Sequence, residues 1–231
     1  MARRNAAPGG SVTGPVATAD TRDQLKKVAM RLFAQRGVDG VTVRDIVNAS
    51  GQRNAASIHY YFGTKEALVR GLILDGAQRI DGRRHAALDA LEAGERPATL
   101  RQVLKALVDS SFAEGDEGAG SYLQFIAMLR MQHRDVFIDV LDDQWNSAYQ
   151  RALKWLERYL DHLPRRILKQ RLAFMGIYLG AALAEREAAM ADPQRQQSSL
   201  KGRFTLENLV DTLEAMLIAP PSAQTLDEMP T

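Results

Sequence analysis

The chain has 231 residues, 25% charged and 45% hydrophobic, proportions that exclude wholesale disorder, a collagen-like repeat and a coiled-coil fibre. It has no cysteine, which rules out a disulfide scaffold, thiolate zinc sites, iron–sulfur clusters and cysteine nucleophiles and suits a reducing cytoplasm. The net charge of +2 conceals an asymmetry: residues 1–65 carry ten Lys/Arg and four acids, a net of +6, and the other 166 residues a net of −4, so a polyanion partner is expected for the first part.

Residues 1–20 are rich in Gly, Ala, Pro and Thr without periodicity and without an apolar signal segment, and read as a disordered arm. Leu25, Val28, Ala29, Leu32 and Phe33 then fall on one helical stripe, after a Thr21–Gln24 capping box and before a stop at Gly37. A second, short helix starts at Thr42 with Asp45 three residues on, turns Ile46, Val47 and Ala49 inward, and ends at Gly51. A third is capped by Asn54 and runs through Phe62 to Gly63. These three make a domain over 21–66.

From Thr64, helices are expected near 64–93, 99–113, 120–133, 135–162, 165–190 and 205–218, with Phe204 and Leu209 placed as a staple around a Thr205 cap. Residues 192–202 read as a polar connection and 220–231 as a loose tail. The longest uncharged apolar run, Leu172 to Ala184, has 13 residues, short of the roughly 20 that span a membrane. No run of alternating β-branched residues calls for a sheet. The expected class is all-α: a three-helix N-terminal domain, then a larger helical bundle over 67–219.

Three short helices with a tight turn between the second and third form the layout in which the third helix enters the DNA major groove. Ile58, Tyr61 and Phe62 share the face that can pack on Val38, Ile46 and Val47, while Ala56, Ser57, His59 and Tyr60 lie opposite and Gln52 and Arg53 project from the start. Small residues let the backbone approach base edges, Gln and Asn suit adenine, Arg suits guanine, and Tyr or His can reach phosphates. Helix starts at Thr42, Asn54 and Thr64 add backbone donors for phosphate oxygens. Taken singly, each of these polar groups could be merely a solvated side chain.

The segment Gly37 to Leu68, GVDGVTVRDIVNASGQRNAASIHYYFGTKEAL, closely resembles the N-terminal domain of tetracycline-repressor (TetR) family regulators, with Tyr61-Phe62-Gly63-Thr64-Lys65-Glu66 matching the family's ending of the third helix and start of the fourth. Asn54 falls on the family's usual Ser cap and His59 on its usual Tyr, whereas the turn Gly51-Gln52-Arg53 has three residues in place of Gly-Val. The motif covers about residues 21–70. The resemblance implies phosphate contacts from Thr42, Tyr60 and Lys65 and base readout by Gln52, Arg53, Ala55, Ala56, Ser57 and His59, with Arg44 and Asn54 completing the DNA-binding candidates. It also implies that the N-terminal domain is a DNA-binding helix-turn-helix domain and that the bundle over 67–219 serves ligand binding and dimerisation, and hence a homodimeric, ligand-responsive repressor held on a pseudo-palindromic double-stranded DNA operator. From the residues themselves a small apolar or aromatic effector is expected, and no cofactor, metal or membrane.

In the bundle, Ala173, Gly176, Gly180 and Ala184 form a small-residue stripe that, with Leu209, Leu213 and Met216, can meet a second protomer. The same stripe fits a close contact within one chain. Phe112, Tyr122, Phe125, Met128, His133, Trp145, Tyr149, Phe174 and Tyr178 are the candidates to line an effector pocket, although aromatic and Met residues at helical spacing also build plain cores. An enzyme is not expected: GxSxG, HExxH, GxGxxG and P-loop motifs are missing and the four histidines are scattered. A helical carrier protein is a further alternative, but it would not need an intact, basic reading head.

Overall fold

The computed structural model describes residues 15–52, 56–112, 121–141, 146–195, 198–202 and 204–229, with side chains from Asp20 onward. Among them are eleven α-helices and no strand: α1 (Pro15–Arg36), α2 (Val43–Ala49), α3 (Ala56–Phe62), α4 (Lys65–Glu92), α5 (Leu100–Asp109), α6 (Tyr122–Gln132), α7 (Arg134–Leu141), α8 (Ser147–Tyr159), α9 (Arg165–Ala191), α10 (Phe204–Ile218) and α11 (Ala223–Asp227).

Local signals set most of the ends. At α2 the Thr42 hydroxyl accepts from the Asp45 amide at 3.2 Å while the Asp45 carboxylate accepts from the Thr42 amide at 2.8 Å, a reciprocal capping box. Thr99 and Gln102 repeat it at α5, and the Thr64 hydroxyl accepts from the Ala67 amide at the start of α4. Gly37 ends α1 at φ +72°, a backbone conformation that costs glycine nothing. A Cβ there would also lie 2.6 Å from Gln132 Oε1 of α6.

Four expectations are corrected. α1 begins at Pro15 and runs straight through Thr21, so Thr21 is not its N-cap and residues 15–20, expected in the arm, are helical; residues 1–14 lie outside the described part. The single helix expected over 135–162 is two, α7 and α8. Phe204 lies inside α10 and is exposed, so it does not staple Leu209, and Thr205 donates its hydroxyl to the Ser199 carbonyl at 3.0 Å. The tail contains α11, capped by Ser222.

The apolar side chains gather in two cores. The first joins Leu25, Ala29 and Phe33 of α1, Ile46 of α2, Ile58 of α3 and Leu68 to Ile73 of α4, and it also takes in Phe125 and Leu129 of α6. The second joins Leu88 of α4 to buried residues of α5, α8, α9 and α10, including Leu104, Leu156, Met175 and Leu213. α4 therefore runs through both, and the division expected at residue 66 is no boundary in packing, because α6 completes the head from the body side. α9 is long and apolar enough to cross a membrane. Its first turns, however, carry Arg165, Arg166, Lys169 and Arg171, and Leu172, Met175, Leu179 and Leu183 are buried in the second core, the pattern of an internal core helix.

Candidate nucleic-acid interface and the interior of the body

α3 is held by one fully buried residue, Ile58, flanked by half-buried Tyr61 and Phe62 that pack on the first core. This leaves Ala56, His59 and Tyr60 exposed and Ser57 half-buried on the outward side, the split read from the spacing. Tyr60 stands 77% exposed, its ring edge-on to Tyr61. His59 Nδ1 lies 2.7 Å from the Gly63 carbonyl; a carbonyl only accepts, so Nδ1 donates and Nε2 faces outward as an acceptor when the ring is neutral. Thr42 and Arg44 are exposed at the start of α2, Gln52 is half-buried just past the turn, and Arg53, Asn54 and Ala55 lie outside the described residues. The Thr42 hydroxyl, its first and strongest partner, holds the Asp45 carboxyl below the usual carboxylate range, with help from the Thr42 amide.

Lys65 differs from the role its resemblance implies. Its Nζ donates to the carbonyls of Val38 and Val41, both at 3.0 Å, and the residue is half-buried. The ammonium thus ties the loop between α1 and α2 to the start of α4 and is committed inside the protein. Arg22 of α1, not among the DNA-binding candidates read from the sequence, is exposed, with its guanidinium 5.6 Å from the centroid of the Phe62 ring.

The nine pocket candidates scatter. Phe125 is fully buried in the first core, its ring 6.0 Å from Phe33. His133 sits at the junction, its Nε2 3.1 Å from Asp39 of the head. Phe174 and Tyr178 face outward on α9 at 50% and 41% exposure, and Trp145 lies outside the described residues. Met128 is half-buried on α6. Phe112 and Tyr149 are half-buried against the second core and Tyr122 against the first, and each is met by an arginine or a close helix. Arg186 lies 5.0 Å over the Phe112 ring and Arg84 5.4 Å over the Tyr149 ring. Tyr122 lies against Gly76 and donates its hydroxyl to the Ile73 carbonyl at 3.1 Å. Burial raises both tyrosine pKa values, and Arg84 acts against that rise in each. Two surface hollows, of about 700 and 500 Å³, are lined by none of the nine candidates.

The small-residue stripe is also turned differently from the expectation. A Cβ on Gly176 would lie 2.9 Å from the Tyr149 hydroxyl and one on Gly180 3.4 Å from Arg130 Nη1, so both glycines admit side chains of their own chain. Ala184, Leu209 and Leu213 are buried in this protomer, and Met216 is half-buried against the second core. These residues are closed to a partner by their own fold. Of the seven, Ala173 is exposed; the outward stripe of α9 is Phe174, Ile177, Tyr178 and Ala181.

Comparison with known proteins accords with this architecture. The family described as bacterial regulatory proteins, tetR family, matches residues 25–72, and that described as tetracyclin repressor-like, C-terminal domain, matches residues 104–216. The HTH-type transcriptional repressor KstR2 of Mycolicibacterium smegmatis is 35% identical over 75 residues, 32% of this chain and 36% of that protein. KstR2 of Rhodococcus jostii is 26% identical over 137 residues, 58% of this chain and 63% of its own length. The matched part thus spans little more than a third of the first relative and under two thirds of the second. Among solved structures, the fatty acid degradation regulator FadR of Bacillus halodurans has a similar fold at TM-score 0.56 and 16% identity, covering 90% of this chain and 97% of that one. A tetR family transcription regulator from a Shewanella species gives TM-score 0.55 at 14% identity, over 84% and 95% of the two chains. With a helix-turn-helix whose third helix shows a polar outer face, and family matches to both the head and the body, the chain belongs to the TetR family of DNA-binding transcriptional regulators.

Proposed function

We propose that the protein is a cytoplasmic, ligand-responsive repressor that holds a pseudo-palindromic operator as a homodimer and lets go when a small molecule enters the body. The observation that carries this is the double placement of α6. Phe125 is sealed into the core of the head against Phe33, and Leu123, two residues earlier, packs against the second core, while Tyr122 between the two lies against α4 within electrostatic reach of Arg84. A ligand that favours a shifted α6 would move the support of α1, and with it the spacing of the two reading heads. Readout falls to Gln52, Ala56, Ser57 and His59, with phosphate contacts from Thr42, Arg44 and Tyr60; Arg53, Asn54 and Ala55, candidates from the sequence, lie outside the described residues. The KstR2 relatives are named repressors, which favours repression over activation.

The dimer face in this reading is the stripe Phe174, Ile177, Tyr178 and Ala181, at i, i+3, i+4 and i+7 on α9. It is continued onto α10, where Thr212 lies 3.2 Å from the Tyr178 hydroxyl and Ile218 is exposed. Sedimentation velocity tests it. The wild type is expected to run as a dimer and to bind one operator per dimer, while Ile177→Arg runs as a monomer and loses operator affinity. A wild type that stays monomeric on DNA contradicts the proposal.

A further inference from the structure

α4 carries one charge whose place its own chain does not explain. Its inward stripe runs Leu72, Ile73, Gly76, Ala77, Ile80, Asp81 and Leu88, all buried, and Arg84 occupies the position in that stripe between Asp81 and Leu88. Arg84 Nε is sealed from solvent and has no hydrogen-bond partner. Among the described residues no carboxylate comes within ion-pair distance of its guanidinium. Neighbouring cations on α4 and α8 are engaged: Arg83 Nε donates to the Ser110 carbonyl at 2.8 Å, Arg79 Nε to the Asp75 carbonyl at 3.3 Å, and Arg151 bridges Asp89 and Glu92 at 2.6 and 2.7 Å.

The acids that could neutralise Arg84 are committed elsewhere. Asp81 is buried and accepts from the Ser147 hydroxyl at 3.1 Å and the Ala148 amide at 3.0 Å, holding the first turn of α8. Glu187 accepts from the Gln124 amide at 2.9 Å and holds the first turn of α6. A buried charge left without a counter-ion is costly, and burial accordingly pulls the Arg84 pKa below the ordinary guanidinium value, with Tyr149 and Asp81 opposing that only in part. The Arg84 guanidinium lies 5.4 Å from the centroid of the Tyr149 ring, and its N–H edge is the one that meets a carboxylate in two parallel hydrogen bonds. The Tyr149 hydroxyl reaches α9 at Gly176, where a Cβ would lie 2.9 Å from it.

We propose that Arg84, with Tyr149 beside it, is an anion-binding site in the interior of the body, and that the effector is a mainly apolar molecule bearing a single carboxylate. The inference rests on the reading of the body as the effector-binding part, and it changes the expectation of a purely apolar effector. The Arg84 guanidinium balances one charge, and the Asp81 side chain, three residues earlier on α4, disfavours a phosphate dianion. The surrounding residues of the second core, such as Leu179 and Met175, suit an aliphatic or aromatic skeleton.

The test is calorimetric titration of the full-length protein without DNA, using decanoate, 4-phenylbutyrate, 1-decanol and decyl phosphate as probes. At least one of the two carboxylates is expected to bind, and decanoate to bind about tenfold or more tightly than decanol, the scale of a charge-assisted hydrogen bond. Arg84→Met is expected to remove that preference, and Arg84→Lys to keep part of it. Without ligand, Arg84→Met should melt at a higher temperature than the wild type, because an uncompensated charge has been replaced by an apolar chain; a purely structural arginine would give a lower one. Equal affinity for decanoate and decanol, tighter binding of decyl phosphate, no carboxylate binding up to about 1 mM, an affinity too weak for an effector, or a lower melting temperature of Arg84→Met overturns the proposal. Operator binding by the ligand-free wild type is measured separately. Its loss would count against the regulator reading and leave the titrations to judge the anion site.

Discussion

The head and the body of this chain bury their polar groups in opposite ways. In the head, Lys65 is bonded to two carbonyls, Thr42 and Asp45 bond each other, and His59 and Tyr60 stand exposed on the outer side of α3. In the body, Arg84 and Arg186 each keep an Nε that is sealed and unbonded. A head so completed needs only DNA on its outer face, whereas the body keeps an unsatisfied charge inside. Buried polar groups are otherwise nearly always paired, and it is on this difference that the proposed anion site in the body rests.

The largest effects should come from the seam where the two regions share a core. Phe33→Ala and Phe125→Ala should each cost about 3–5 kcal/mol in denaturant unfolding. The double variant should cost less than the sum, because the rings touch one environment from opposite helices. Strict additivity would show that α6 is not part of the head. Next comes Lys65→Met, which leaves the Val38 and Val41 carbonyls without their donor and should cost about 1.5–3 kcal/mol in stability, with the salt dependence of operator binding unchanged. If instead stability holds and the salt slope falls by about one, Lys65 is a phosphate anchor and the head is less self-contained than its bonds indicate.

Smaller still is the cap of α2. Thr42→Ala should cost about 0.5–2 kcal/mol. The folded Asp45 has a lowered pKa, so its part of the box is fully present above the unfolded carboxyl value of 3.8 and is lost as pH falls through the lower folded value. The stability gap between wild type and Thr42→Ala should therefore narrow on acidification, as thermal melts across that range would show. A gap that widens would place the Asp45 charge elsewhere than on the cap.

Much of the head could be read from its sequence because its signals are local. Thr42 with Asp45 three residues on, Gly37 and Gly51 as stops, and Ile58 flanked by outward polar residues each act within a turn of helix. What escaped the sequence acts across distance. Nothing local shows that Lys65 bonds to carbonyls 24 and 27 residues earlier, or that Gly176 and Gly180 turn toward Tyr149 and Arg130. Spacing places Gly176 and Ile177 on different sides of α9 but does not say which side meets the rest of the chain. Arg84 had a usable signal, a charge at an inward position of an apolar stripe, which its place in the polar run Arg83-Arg84-His85 disguised as surface.

The central claim is that the outward face of α3 reads DNA from a dimer. Hydroxyl-radical footprinting on genomic fragments selected by the purified protein tests it most directly. Two symmetric protected half-sites should appear, centred about one helical turn apart, roughly 34–36 Å, and Tyr60→Ala should weaken both equally. No protected site at low salt, or one unsymmetric site indifferent to substitutions at Ser57, His59 and Tyr60, would contradict the account.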